Sequence, residues 1–166
     1  MKTLLLIRHA KSSWDDTTLP DRDRPLEARG EHDVAKTSKR LSQRHARPNL
    51  IMSSPAVRAL ATAKALAKGL DNKPKRIVMN DRHYAARADT LIAVVEELDD
   101  TLRCVMLVGH NPQFTDFAHH LSSEIIEMPT CGIAEFTFDA KTWTSICKTK
   151  PVTVDFDFDS PRSPSG

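Results

Sequence analysis

The chain has 166 residues, 40% of them hydrophobic and 28% charged, a balance that fits one soluble globular domain. Its formal net charge is only +2, with no basic stripe and no aromatic platform, which argues against nucleic acid as a partner. Three cysteines without C-x-x-C spacing, Cys104, Cys131 and Cys147, argue against a disulfide frame or a zinc site and for reduced thiols in a cytoplasmic protein.

Residues 1–7 resemble the start of a leader, but Arg8 interrupts the apolar run after only Leu4 to Ile7. That run is too short for a leader's apolar core, and no stretch approaches a membrane span. Residues 3–7 instead read as a first strand. Residues 49–53, 76–79 and 104–108 read the same way, nearly continuous in apolar character, as strands covered on both faces are. Helical stripes separate them. Ala59, Ala63, Leu66 and Leu70 mark one, and Leu91, Val94, Val95 and Leu98 another. Phe114, Phe117, Ala118 and Leu121 mark a third, after the fourth strand. Alternating strands and helices predict a three-layer α/β/α sandwich with a mostly parallel central sheet. Beyond it, Ala134, Phe136 and Phe138, then Val152, Val154, Phe156 and Phe158, alternate with polar residues, as later, more edge-like strands do. One domain is expected over residues 1–159, with a disordered tail over 160–166.

In an open parallel sheet, ligands bind beyond the carboxyl ends of the strands. The first strand is followed by Arg8-His9-Ala10, the second by SSPAVRA (residues 53–59), and the fourth by Gly109-His110-Asn111-Pro112. Two arginines and two histidines can therefore converge on one edge. Ser54 suits an N-cap and Pro55 a first helical position, which puts Arg58 in a first helical turn. A cation there opposes the helix dipole, at a cost of roughly 0.3–1 kcal/mol. Either Arg58 is a solvated surface arginine, or an anion sits at the helix start and shares it with backbone N–H groups. Two arginines suit a phosphoryl group, and a histidine between them could act as general acid, base or nucleophile.

Four segments in this order, LLLIRHAKSSW, RPLEARG (residues 24–30), LIMSSPAVRALATA (residues 50–63) and VMLVGHNP (residues 105–112), resemble the histidine phosphatase superfamily over roughly residues 1–160. Within it the chain is most similar to the short SixA-type phosphohistidine phosphatases. The resemblance implies a phosphoglycerate-mutase-like fold without a large cap insertion. It implies a transiently phosphorylated His9 nucleophile, with Arg8, Arg58 and His110 holding the phosphoryl group and Ser12 a candidate donor to it. It implies no metal and no cofactor, and the sequence contains no metal-ligand spacing. The expected substrate is a protein phosphohistidine or a small phosphorylated molecule. Neighbouring arginines are expected to lower the pKa of His9.

Some positions depart from the family pattern. Ala10 replaces the signature glycine, Asp15 stands where relatives carry an asparagine, and Glu27 leaves its helix without a good cap. Phosphoester-cleaving relatives place a general acid after the third strand, where Asp81 and Asp89 are the candidates here. Asp89 also reads as the N-cap of a helix beginning at Thr90, and Asp81 as a strand end. SixA-type enzymes need no such acid, because a phosphoramidate nitrogen is readily protonated. Rival readings are a small-phosphoester phosphatase with the same nucleophile, and an idle phospho-ligand binding module. Of the other groups, Asp23 and Arg24 are expected to pair. His32, His45, His119 and His120 read as solvated or without a partner. His83 is close enough to a strand end to line a pocket, and Trp14 could wall an entrance.

Overall fold

Lys2 to Arg8 is apolar almost without a break, and the computed structural model folds it as β1 (Lys2–Arg8), with Leu4, Leu5, Leu6 and Ile7 fully buried. Side chains alternate across a strand, so both faces of β1 must be covered. Leu4 and Leu6 enter one core, and Leu5 and Ile7 enter the other. Each such side chain contributes about 1.5–3 kcal/mol of burial. The structure describes residues 1–70, 77–84, 87–124 and 126–158.

After β1 come α1 (Ala28–Gln43), β2 (Leu50–Ser53), α2 (Val57–Gly69), β3 (Ile77–Met79), α3 (Ala88–Glu96) and β4 (Cys104–Gly109). They are followed by α4 (Gln113–Ser122), β5 (Ile133–Phe138), a short α5 (Trp143–Ile146) and β6 (Thr153–Asp157). The sheet order is β3-β2-β4-β1-β5-β6, with the first four strands parallel and β5 and β6 antiparallel. The core on the Leu5 face takes Val34 and Leu41 from α1 and Ala59, Ala63 and Leu66 from α2. The core on the Leu4 face takes Leu91, Val94 and Val95 from α3 and Phe114 and Phe117 from α4. This is the expected three-layer α/β/α sandwich, and among the described residues no large insertion interrupts it.

The differences are local. β5 is not edge-like: it lies between β1 and β6, and Phe136 and Phe138 are fully buried. α2 begins at Val57, two residues later than the Ser54-Pro55 pattern predicts, and its N-cap Ala56 offers no side-chain bond. The Ser54 hydroxyl does accept from Ala56 N–H at 3.2 Å, but it is drawn to His110. Asp89 is not an N-cap either. α3 starts at Ala88, after Arg87, and the Asp89 carboxylate accepts from the neighbouring Thr90 N–H and lies 3.5 Å from Arg87 Nε. Glu27 precedes α1 without a side-chain cap, as expected. Residue 76, expected in the third strand, and the expected tail at 160–166 lie outside the described residues. Among the described residues, no helix is long and apolar enough to cross a membrane.

Candidate functional site

The register of the sheet builds the site. Arg8 pairs with Gly109 across β1 and β4, and Ser53 pairs with Val108 across β2 and β4. The ladder runs one step further, with His9 N–H donating to Gly109 C=O at 2.9 Å and Ser54 N–H to Val108 C=O at 3.0 Å. Three strand ends are thereby held level. His9 and His110 face each other with ring centroids 5.1 Å apart. His110 Nε2 lies 2.7 Å from the Ser54 hydroxyl.

The His9 ring is oriented by its own chain. Nδ1 is 2.7 Å from the Ala10 carbonyl. A carbonyl only accepts, so Nδ1 carries the proton and the lone pair lies on Nε2. Burial lowers the His9 pKa to about 4, against the pull of the Ala10 carbonyl and with help from Arg58, Arg8 and Arg24. The imidazole is therefore neutral at ordinary pH. Burial, with His9 and Arg58 adding to it, pushes His110 down to about 3.

A depression of about 280 Å³ opens over His9, lined by Arg8, Lys11, Ser12, Trp14, Arg24, Arg58 and Thr130. The Arg24 and Arg58 side chains are 7% and 8% exposed and Arg8 is half-buried, and the Nε–H of all three is buried without a partner among the described residues. Buried arginine donors left unpaired are costly, and a tetrahedral oxyanion is the group they suit. No carboxylate lines the depression among the described residues. A wider groove of about 560 Å³ between α1 and α2 shares none of these residues.

Arg24 was not legible as a site residue. It does not pair with Asp23. It donates to the Ser12 hydroxyl, lies 3.5 Å from Asp21 Oδ1, and stacks with its guanidinium carbon 3.3 Å from the Trp14 ring centroid. Its loop is fastened by the Ser12–Leu26 bridge and by Glu27 N–H donating to Lys11 C=O at 3.0 Å. The signal for it lay in the RPLEARG segment, where the glycine has a physical task. A Cβ at Gly30 would meet the Lys11 carbonyl oxygen at 2.2 Å, so only glycine lets α1 approach this loop.

Arg58 is neither solvated nor without an anion. Its Nη1 donates to the Asp21 carbonyl at 2.7 Å and its Nη2 to the Asp21 carboxylate at 2.9 Å. Asp21 sits on a 3-10 turn, Asp21–Asp23, and also accepts from the Tyr84 hydroxyl at 2.8 Å. Behind Arg58, Thr62 accepts from Ala10 N–H at 3.1 Å and donates to Arg58 C=O at 2.8 Å, tying α2 to the residue after His9.

The structure thus brings Arg8, His9, Ser12, Arg58 and His110 together. It does not bring Asp81 or Asp89 to them. Asp81 is 87% exposed and pairs with Arg22, while Asp89 is 70% exposed, pairs with Arg87 and lines a separate depression with Pro112 and Gln113. Both sit outside the lining because the turn and helix that carry them present them to solvent. His83 is buried on Phe114, and burial lowers its pKa to about 4 against the pull of the Val108 backbone. His119 and His120 are exposed, as their places off the α4 stripe predicted.

A neutral histidine set among arginines at the carboxyl edge of a parallel sheet is a site for handling phosphoryl groups. Residues 4–82 match the histidine phosphatase superfamily (branch 1). An uncharacterised chloroplastic protein of Arabidopsis thaliana is 33% identical over 152 residues, which span 86% of this chain and 69% of that one. A crystal structure from Agrobacterium tumefaciens, named for the phosphohistidine phosphatase SixA, has a TM-score of 0.78 at 26% identity and covers 93% of this chain and 97% of its own. A mycobacterial glucosyl-3-phosphoglycerate phosphatase complexed with VO3 has a TM-score of 0.66 at 15% identity, covering 96% and 98%, a likeness of fold alone. The chain belongs to the histidine phosphatase superfamily and is of the SixA type. It is a phosphatase, and its substrates are phosphorylated.

Proposed function

We propose that the chain hydrolyses protein phosphohistidine through a phosphorylated His9. The reading rests above all on the His9 tautomer: Nδ1–H is held by the Ala10 carbonyl, leaving the Nε2 lone pair for attack. Nε2 attacks phosphorus as the bond to the leaving group breaks. Arg8, Arg24 and Arg58 offer donors to the equatorial oxygens, where charge gathers. His110 Nε2 lies 2.7 Å from the Ser54 hydroxyl, and with that hydroxyl as donor the unpartnered His110 Nδ1 carries the proton and is a further donor. Water then attacks phospho-His9. Its hydroxyl goes to phosphorus, its proton leaves with the phosphate, and the electron pair returns to Nε2.

With no carboxylate among the described residues of the lining, a leaving group that needs no acid at the departing atom is favoured. A phosphoramidate meets that condition and an alkyl phosphate does not. The test is a paired turnover assay on a phosphohistidine-bearing protein and phosphoserine, an alkyl phosphate, with chelator present. Faster release from phosphohistidine, lost in His9→Ala, is the expected result. A preference for the ester, or full activity in His9→Ala, overturns the reading.

A further inference from the structure

Asp21 carries a negative charge next to a site that must accept a phosphoryl dianion, and that charge needs a reason. Burial raises its pKa, but the bonds from Tyr84 and Arg58 outweigh that and hold it below the usual carboxylate range. It is therefore ionised and a poor acid. Its Oδ2 is taken by Arg58 and Tyr84, whereas Oδ1 has, among the described residues, only the 3.5 Å approach of Arg24. The side chain is 50% exposed, so Oδ1 keeps acceptor capacity toward an incoming molecule. Asp21 is not among the residues lining the depression over His9, and it is fixed from the other side of Arg58 by Tyr84, whose ring centroid lies 5.6 Å from that of His110.

We infer that Asp21 is the counter-ion for the leaving group, accepting an N–H from the distal ring nitrogen of a substrate phosphoimidazole. This rests on the phosphohistidine reading and adds how the missing acid is replaced. A phosphoimidazole has phosphorus on one ring nitrogen and a basic site on the other. A carboxylate beside the second nitrogen favours its protonated form. When His9 Nε2 bonds to phosphorus and the P–N bond breaks, the electron pair returns to a ring that already holds its proton. The ring departs as neutral imidazole, and no proton has to reach the departing nitrogen. An ester oxygen has no distal basic atom, so Asp21 offers it no such help and only adds repulsion. The same carboxylate thus sets selectivity for P–N over P–O substrates.

The test compares Asp21→Asn with the wild type on a phosphohistidine peptide and on p-nitrophenyl phosphate. The asparagine keeps an oxygen acceptor for Arg58 and removes the charge. The ratio of kcat/KM for peptide over ester is expected to fall at least about tenfold, the effect of one pKa unit of lost stabilisation. An equal loss on both substrates means that Asp21 only positions Arg58, and overturns the inference while the phosphohistidine reading stands. A gain on both makes it an internal blocker of Arg58 and overturns it too. No peptide turnover by the wild type overturns both readings.

Discussion

His9 and Arg24 are held by different contacts, and their variants fail differently. The His9 ring bonds to the carbonyl of the next residue and packs on His110, so it supports little of the fold. His9→Ala is expected to lower turnover to background while the Tm moves by only a few degrees, as activity and thermal melting measured on one preparation check. Arg24 has a stacked face, a hydroxyl partner and a carboxylate neighbour, and a lysine reproduces only its charge. Arg24→Lys is expected to raise KM by about tenfold with a smaller change in kcat, since a lost charge-assisted bond is worth about 1.5–3 kcal/mol. Steady-state kinetics on a phosphohistidine substrate would show it, and an unchanged KM would remove Arg24 from the binding set. Arg8, His9, Arg58 and His110 were legible because each follows a strand end that apolar runs reveal. Arg24 and Asp21 were not, because both come from the polar loop between β1 and α1, where no periodicity marks direction.

The same loop makes α1 matter to the site. Its buried face is Gly30, Val34, Thr37, Ser38 and Leu41, and three of those five are small or polar, which hides the stripe from a search for apolar spacing. The four parallel strands were plain, being runs of Leu, Ile, Val and Met with both faces covered. The start of α2 was misplaced for a reason that belongs to function. The Ser54 hydroxyl that would cap the helix is turned to His110, so the helix begins only at Val57. Gly30 offers a test at this scale. In Gly30→Ala, the new methyl must displace the Lys11 carbonyl, a rigid backbone atom, so α1 or the loop has to shift. Overpacking of this kind costs about 1–3 kcal/mol. Because Ser12 follows Lys11 and holds Arg24, activity is expected to fall more than stability does. Denaturant melts and kcat/KM, measured together, would show loss in both, and wild-type activity would mean that the loop adjusts without moving Ser12.

The whole molecule carries the consequence of burying three neutral histidines. His9 and His83 are pushed to about 4 and His110 to about 3, mainly by burial. In the unfolded chain each titrates near about 6.5. Between those values the unfolded state binds more protons than the folded one, so stability falls as pH falls. The loss begins near pH 6.5 and continues to about pH 4, at up to about 1.4 kcal/mol per pH unit for each histidine. Asp21, paired with Arg58, adds a loss of the same sign at lower pH, because its folded pKa is also depressed. His83 isolates one histidine's share of this loss without lining the phosphoryl pocket. It is 2% exposed, packs edge-on to Phe114, and neither ring nitrogen has a well-formed hydrogen bond. His83→Leu keeps apolar contact and removes one proton from the difference. Its Tm is expected to stay within a few degrees of wild type at pH 8 and to fall less steeply between pH 6.5 and 4.5, by about a third of the histidine slope. Calorimetric melts across that range decide it. An identical slope in the variant would mean that His83 titrates in the folded protein as it does in the unfolded chain, and would overturn the account of its burial against Phe114.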